Sequence, residues 1–340
     1  MSTKNPNCQF FGVFPAVKDY LRKHLSGFHL TITEKEILSS ADLDPKTEIL
    51  GVFVGSKVAK KIFDALPHLK LVVTMSTGFD HIDLAVAKKR KIPVCNVPTY
   101  GENTVAEHTM ALLLSLSRKL FPSVKRVKEG VFNYDGLRGF DLKAKTLGVI
   151  GTGHIGAHVI RMAKSFEMNV IAYDPFPNKA LARQLDFTYV PFAKLLSTSD
   201  VITLHVPLLK ETTHLINKTN VKKIKPGAYL INTARGGLIE TEALVWAIET
   251  GRIAGAGLDV LEEEEDLQYP DHLVRAHHTP EQIKTVLMDN RLIDHPNVII
   301  TPHNAFNSLE ALQRIMDTTI ANVKAFTTEK IQNDVTMVRK

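Results

Sequence analysis

The sequence predicts an α/β fold of two domains, each built on a parallel β-sheet. Short β-branched runs alternate with segments of helical periodicity along most of the chain. The 340 residues also exceed what a single hydrophobic core commonly holds. A composition of 44% apolar and 23% charged residues is typical of a globular protein, and it excludes the collagen-like and disordered classes.

The first hundred residues contain four strand-like runs. These runs are residues 10–14, 49–54, 69–74 and 92–96. Between the second and third, apolar residues at helical spacing over 58–66 predict a helix that stops at Pro67. Residues 1–100 are therefore expected to form a small α/β unit.

A second series of strand-like runs begins near residue 145. It comprises residues 146–150, 169–173, 201–205, 228–232, 255–260 and 298–301. Helical segments separate most of these runs, and about 160 residues suffice for a complete doubly wound domain.

Two helices are predicted to join the units. Thr104 and Glu107 fit a capping box at the start of the first helix, and apolar residues recur at helical spacing from Leu309 to Phe326 in the second. If the second helix returns to the first unit, the domains are 1–100 plus 302–340 and 101–301. A cleft between two such domains is where small molecules usually bind.

The motif Gly151-Thr-Gly153-His-Ile-Gly156 follows a predicted strand and opens a predicted helix. Gly151 permits the tight turn, Gly153 lets the backbone approach a pyrophosphate, and Gly156 lets helix and strand pack closely. A glycine-rich turn that binds nothing is the alternative, and the surrounding strand and helix argue against it.

Asp174 ends the next predicted strand, eighteen residues after Gly156. A carboxylate there can accept both hydroxyls of the adenosine ribose and would repel a 2′-phosphate. No arginine lies in the loop 175–178, and Lys179 is the only nearby cation. The sequence therefore predicts NAD rather than NADP as cofactor.

Three residues capable of acid–base or carboxylate chemistry fall just beyond predicted strand ends: Arg235, Glu264 and His303. The planar guanidinium of Arg235 can bind a carboxylate or a 2-oxo acid through two hydrogen bonds. Taken singly, Arg235 could be a surface ion-pair residue, His303 a histidine in a turn, and Glu264 part of the solvated acidic run 262–266.

Together with motifs spread along the chain, these residues resemble the NAD-dependent D-isomer-specific 2-hydroxyacid dehydrogenases, and within that family its D-lactate dehydrogenase branch. The matching stretches, in the family's order and spacing, are residues 76–83, 96–100, 105–108, 148–156, 204–207, 232–236, 257–260 and 301–306. The resemblance implies a flavodoxin-like substrate domain, a doubly wound, Rossmann-type NAD-binding domain and a homodimer packed through helices of the latter.

The resemblance implies a catalytic trio of Arg235, Glu264 and His303. Protonated His303 would give its proton to the substrate carbonyl, Glu264 would stabilise the imidazolium, and Arg235 would hold the 2-oxo acid. Because hydride transfer is the cofactor's chemistry, no metal is implied. The implied substrate contacts are Thr77, Gly78, Tyr100, Arg235, His303 and Phe306. The implied NAD contacts are Gly151, Gly153, His154, Ile155, Gly156, Asp174, Val206, Pro207, Thr212, Thr233, Ala234, Arg235, Asp259 and Thr104.

Two departures from the lactate branch leave the substrate open. Relatives acting on lactate tend to carry an aromatic residue where this chain has Val54-Gly55, and a tyrosine where it has Asn307. Pyruvate is the first expectation, with glyoxylate, hydroxypyruvate and bulkier 2-oxo acids as alternatives. An NAD(H)-sensing protein of the corepressor type is an alternative of another class, which the intact trio disfavours.

The remaining features predict a cytoplasmic protein that binds neither nucleic acid nor membrane. The net charge of +6 is scattered, and the longest apolar run, residues 110–116, is far too short to span a bilayer. Cys8 and Cys95 cannot build a disulfide framework, and Cys95 lies in an apolar stretch where a buried thiol is expected. His272, His277 and His278 show no ligand spacing, so we interpret them as surface residues in a long 265–297 segment of unassigned role.

Overall fold

The computed structural model describes residues 5–264 and 278–337, which form two compact units. One unit comprises Met1–Tyr100 with Asn307–Lys340, and the other comprises Gly101–Phe306. His272 and His277 lie outside the described residues. Within the described part of the chain, no group of three or more His, Cys, Asp or Glu side chains could hold a metal ion. No helix there is long and apolar enough to cross a membrane.

The first unit contains a five-stranded parallel sheet in the order β2-β1-β3-β4-β5. Its strands are β1 (Asn7–Phe10), β2 (His29–Ile32), β3 (Ile49–Val52), β4 (Leu71–Thr74) and β5 (Val94–Cys95). Its helices are α1 (Lys18–His24), α2 (Lys60–Ala65), α3 (Leu84–Arg90) and α11 (Leu309–Thr327). This strand order is the flavodoxin-like one. Every residue of β3 and β4 is buried, as expected for parallel strands covered on both faces.

The second unit contains a seven-stranded parallel sheet in the order β12-β11-β10-β9-β6-β7-β8. Its strands are β6 (Thr146–Ile150), β7 (Asn169–Tyr173), β8 (Thr188–Tyr189), β9 (Val201–Leu204), β10 (Ala228–Asn232), β11 (Ile253–Leu258) and β12 (Val298–Ile300). Its helices are α4 (Glu102–Ser117), α5 (Leu120–Lys128), α6 (His154–Ser165), α7 (Lys179–Leu185), α8 (Phe192–Thr198), α9 (Thr241–Glu249) and α10 (Pro280–Ile293).

The seven-stranded sheet is doubly wound, because the chain builds outward from β6 first in one direction and then in the other. The order reverses between β6 and β9, and ligands of such sheets bind outside the carboxyl ends of the strands at that point. The predicted α/β class with two Rossmann-like sheets is confirmed.

Several local predictions differ from the structure. The predicted capping box is wrong: α4 begins at Glu102 after Gly101, so Thr104 is the third helical residue rather than the cap. The first strand lies at Asn7–Phe10 instead of residues 10–14, and β2 and β8 were not predicted. The prediction for Cys95 is confirmed, since it is buried and burial raises the pKa of its thiol to about 12.

Candidate active site

The glycine loop connects β6 to α6 at the point where the strand order reverses. Gly151 has a φ of +93°, and a Cβ there would lie 2.6 Å from the carbonyl oxygen of His205. A Cβ on Gly156 would lie 2.1 Å from the carbonyl oxygen of Gly151, so only glycine allows this contact. A Cβ on Gly153 would meet nothing within 4 Å. The first and third glycines therefore shape the loop, and the second leaves its backbone open to a ligand.

Helix α6 begins directly after this open glycine. Gly153 is the N-cap residue and supplies no side-chain cap, so amide groups of the first turn remain available to an anion. His154 and Ile155 are the first two helical residues, and His154 Nδ1 lies 3.4 Å from Glu102 Oε1. The loop and helix start thus fit the pyrophosphate of a dinucleotide.

Asp174 follows β7, and a hydrogen-bonded chain fixes its carboxylate. Its Oδ2 accepts from the Thr152 amide at 2.8 Å and the Thr152 hydroxyl at 2.9 Å. The Tyr189 hydroxyl accepts from the Asn178 amide at 3.1 Å and lies 2.8 Å from Thr152 Oγ1. Because the carboxylate only accepts, the Thr152 proton points to Asp174, and Tyr189 must donate to Thr152. Thr152 and Tyr189 were missed by sequence reasoning.

Arg235 lies in a loop that follows β10. The Asn232 side chain accepts from the Ala234 amide at 3.0 Å and donates to the Arg235 carbonyl at 2.8 Å, which fixes the loop. A Cβ on Gly236 would lie 2.0 Å from the Leu261 carbonyl oxygen. The loop carrying Arg235 therefore packs directly against the chain that leads into Glu264.

His303 lies beyond β12 in a left-handed backbone conformation, with a φ of +49°. Its amide donates to the Asp259 carbonyl at 2.9 Å. The Asp259 carboxylate, only 1% exposed, accepts from the Thr301 hydroxyl and from the amides of Asn304 and Ala305. These bonds hold a conformation that non-glycine residues seldom adopt, and such strain occurs at functional sites.

Glu264 and His303 form a hydrogen-bonded pair. His303 Nδ1 lies 2.6 Å from Glu264 Oε1, and Glu264 Oε2 accepts from the Leu261 amide at 3.1 Å. Their side chains are 33% and 29% exposed, respectively, so both remain reachable from solvent. Because Glu264 engages Nδ1, the nitrogen of His303 that can transfer a proton is Nε2. The acidic run is therefore not simply a solvated face at this position.

His108 was not predicted as a site residue, although it ends one of the stretches that carry the resemblance. It projects from α4, with Nε2 3.0 Å from Thr301 Oγ1 and 3.5 Å from Asp259 Oδ1. A second contact from the same helix joins Thr109 Oγ1 to Thr233 Oγ1 at 2.8 Å. Helix α4 thus supports both the His303 and the Arg235 loops.

The other residues predicted to contact NAD in this unit differ in whether their polar groups are free to bind a cofactor or already bonded within the protein. Val206 and Pro207 follow β9 at the same edge of the sheet, and Ala234 lies in the Arg235 loop. The Thr212 hydroxyl is used within its own loop, where it accepts from the Leu209 amide and donates to the Pro207 carbonyl. Thr104 is buried in α4.

Three of the predicted substrate contacts belong to the first unit. Thr77 and Gly78 follow the carboxyl end of β4. Their loop is held by the Thr77 hydroxyl, which donates to the Val97 carbonyl, and by the Asn96 side chain, whose Nδ2 donates to the Thr77 carbonyl. The Tyr100 carbonyl accepts from Arg314 Nε at 2.6 Å. Phe306 is the last residue of the second unit.

The doubly wound sheet and its glycine loop define a dinucleotide-binding α/β protein. The sequence profile of the D-isomer-specific 2-hydroxyacid dehydrogenase NAD-binding domain matches residues 110–305. A 2-hydroxyacid dehydrogenase homologue of Haemophilus influenzae is 36% identical over 304 residues, 88% of each chain. D-lactate dehydrogenase of Escherichia coli is 35% identical, again over 88% of each chain.

Among solved structures, the chain is similar to D-lactate dehydrogenase of Aquifex aeolicus, which was crystallised in complex with NAD and lactic acid. The similarity covers 95% of this chain and 96% of that one, with a TM-score of 0.86 and 38% sequence identity. The chain belongs to the D-isomer-specific 2-hydroxyacid dehydrogenase family and is an NAD-dependent oxidoreductase.

Proposed function

We propose that this enzyme reduces pyruvate to D-lactate. The observation that carries the proposal is the Glu264–His303 pair, joined at 2.6 Å beyond the ends of β11 and β12, with the Arg235 loop packed against the chain that leads into it. The similarity to the D-lactate dehydrogenase of E. coli supports the choice of substrate. The homodimer and the cytoplasmic location stay predictions.

The residues of the second unit would hold the cofactor. The amides around Gly153 would bind the pyrophosphate, and Asp174 would accept from the hydroxyls of the adenosine ribose. When bound, NADH supplies the hydride that reduces the substrate carbonyl. We assign the substrate carboxylate to the main chain of Thr77 and Gly78, which the resemblance implicates.

His303 would act as the general acid. Its Nε2 would donate a proton to the carbonyl oxygen as negative charge develops there, while the Glu264 carboxylate stabilises the imidazolium through Nδ1. Arg235 would bind the carboxylate and carbonyl of the 2-oxo acid through its planar guanidinium, which lowers the cost of that developing charge.

Turnover of NADH against a panel of 2-oxo acids tests this function directly. The panel contains pyruvate, glyoxylate, hydroxypyruvate and 4-methyl-2-oxopentanoate, with chiral analysis of each product. The highest kcat/KM with pyruvate, giving the D product, supports the proposal. A D product from another acid with no turnover of pyruvate would keep the reaction class and overturn the substrate. NADH binding without turnover of any acid would instead support an NAD(H)-sensing protein.

One observation favours hydroxypyruvate as a second candidate substrate. A Cβ on Gly55 would lie 2.9 Å from the carboxyl carbon of Glu36, so this carboxyl group occupies the space beside Gly55. The Ser56 hydroxyl donates to Glu36, and burial raises the pKa of the Glu36 carboxyl group. A polar group here, where lactate-acting relatives tend to place an aromatic side chain, favours a substrate that carries a hydroxyl.

Substitution of Asp174 with alanine should weaken the preference for NADH. The variant loses charge-assisted hydrogen bonds to the ribose and the charge that repels a 2′-phosphate, so the Kd for NADH should rise roughly 10- to 100-fold. The Kd for NADPH should change far less, as measured by titration of cofactor fluorescence. Asp186→Asn removes a 91% exposed carboxylate of the same unit and serves as control. Unaltered selectivity in Asp174→Ala would contradict the ribose assignment.

We also propose that the chain forms a homodimer through α5 and the segment that follows it. None of the residues of α5 is buried, yet it exposes a series of apolar side chains. The exposed apolar residues are Leu120, Phe121, Val124, Val127, Val131, Phe132 and Tyr134. Large exposed apolar side chains concentrated in one segment of 15 residues are typical of an interaction site.

Substitution of Val124 with glutamate should dissociate this dimer, because the variant would bury a charge in the interface. We expect sedimentation equilibrium to give twice the 37.8 kDa chain mass for the wild type and the single mass for Val124→Glu. Leu309→Glu places the same charge at an exposed leucine outside α5 and should remain dimeric. A monomeric wild type would rule the dimer out.

A further inference from the structure

Asp289 is a fully buried carboxyl group on helix α10. It lies on the buried face of the helix, between Val286 and Leu292, where an apolar residue is expected. Within residues 5–264 and 278–337, its Oδ2 has no hydrogen-bond partner, and its Oδ1 lies 3.4 Å from the Thr241 hydroxyl. Burying a carboxyl group with so few partners is costly, so a compensating role for Asp289 needs to be identified.

Besides Thr241, Asp289 has a partner in the main chain beside Glu264. The amide of Glu263 donates a hydrogen bond to the Asp289 carboxyl group. The residue before it is anchored as well: Glu262 Oε1 lies 2.5 Å from His214 Nε2, and Glu262 Oε2 accepts from the Thr241 hydroxyl at 2.9 Å. Two consecutive anchors therefore precede the residue that pairs with His303.

We propose that Asp289 is a positioning residue for the Glu264–His303 pair and acts through the amide of Glu263. The inference rests on the proposed function, in which that pair transfers the proton. Glu264 is one residue from the anchored amide, and its carboxylate must lie within hydrogen-bond reach of His303 Nδ1. A small rotation of the chain at Glu263 would lengthen that bond, and misplaced catalytic groups lose rate steeply.

The charges around Asp289 make the anchor sensitive to pH. Glu262 and Glu263 face it from the loop, His214 pairs with Glu262, and the Thr241 hydroxyl approaches from α9. Burial, together with the charges of Glu262 and Glu263, raises the pKa of Asp289 to about 7. Ionisation of Asp289 has two opposed effects: the carboxylate becomes a stronger acceptor for the Glu263 amide, and it adds a negative charge beside Glu262 and Glu263. The position of the anchored chain should therefore differ between the neutral and the ionised state of Asp289.

Two substitutions test this role. Asp289→Leu removes the acceptor for the Glu263 amide, and kcat for 2-oxo acid reduction should fall about 10-fold with the Kd for NADH nearly unchanged. Asp289→Asn keeps an acceptor oxygen in the same place and should restore kcat at pH 6. The control Asp294→Asn removes an exposed carboxylate at the end of the same helix and should behave as wild type.

The pH profile separates positioning from a merely structural effect. Because the amide introduced by Asp289→Asn does not ionise, the ratio of kcat in this variant to kcat in the wild type should change as the pH passes about 7. A ratio that stays constant from pH 6 to pH 8 would overturn the proposal. This comparison needs only the conservative variant, so it stands even where Asp289→Leu does not fold.

Two further measurements identify which hypothesis fails. Hydrogen exchange of the Glu263 amide should accelerate in Asp289→Leu, a readout that does not depend on activity; unchanged exchange contradicts the anchor. The variant His303→Asn is assayed in parallel. If it retains wild-type kcat, the proposed function fails; if it loses kcat while Asp289→Leu keeps it, the positioning role alone fails.

Discussion

Replacement of His303 with asparagine should lower kcat for 2-oxo acid reduction by about 10²- to 10⁴-fold, the usual contribution of a positioned general acid. Asparagine is the suitable replacement because His303 has a φ of +49°, a conformation that asparagine tolerates better than alanine. The hydrogen bonds that Asp259 makes to the following amides should therefore survive the change. The side chain alone is lost, and the Kd for NADH should be nearly unchanged.

Single-turnover kinetics with saturating NADH provide the measurement, because they report proton and hydride transfer without product release. The control His29→Asn replaces an exposed histidine on the edge strand β2 of the other unit. A wild-type rate in His303→Asn would show that another group protonates the carbonyl oxygen. The 2.6 Å bond to Glu264 would then be structural only.

The sequence predicted best where the signal is local. The bounds predicted for β6, β7 and β10 match the structure, because each is a parallel strand with a nearly continuous apolar run; β6 and β10 are also almost wholly buried. The glycine loop could also be predicted, because its three glycines occur at a fixed spacing between a strand and a helix. Strand β2 was missed because it is a half-exposed edge strand, His-Leu-Thr-Ile, with only four residues to show its alternation.

The site could be predicted only in part, because its geometry depends on residues distant in sequence. The residues adjacent to His303 in sequence do not indicate that Asp259 holds the His303 loop, or that Glu264 lies at hydrogen-bond distance from His303. Taken singly, the acidic run favours a solvated face, and only the family resemblance singles out Glu264. In the structure Glu262 and Glu264 are partly exposed, and each has a separate partner. One local feature of the sequence does indicate a buried polar contact: Asp289 interrupts the apolar face of α10 between Val286 and Leu292.

Replacement of Arg235 with glutamine should lower kcat/KM for 2-oxo acids by roughly 10²- to 10³-fold, since it removes charge-assisted bonds worth about 1.5–3 kcal/mol each. Arg235 Nη1 donates to the Ala234 carbonyl at 2.8 Å, a bond that the glutamine side chain amide can also donate. Asn232 and the close contact of Gly236 with Leu261 fix the rest of the loop through its main chain, so the backbone should keep its conformation. The Kd for NADH should therefore change little, and most of the loss should be in substrate binding and carbonyl polarisation.

The variant Arg235→Lys distinguishes charge from geometry. Lysine keeps the positive charge but lacks the planar guanidinium and its paired donors, so Arg235→Lys should recover only part of the kcat/KM that Arg235→Gln loses. Arg183→Gln, at an exposed arginine of α7, is the matched control and should keep wild-type kinetics. Full recovery in Arg235→Lys would mean that a point charge is sufficient and that no bidentate contact forms. An unchanged KM in Arg235→Gln would place the substrate carboxylate on the Thr77–Gly78 main chain alone, and the part of Arg235 would then be confined to the carbonyl.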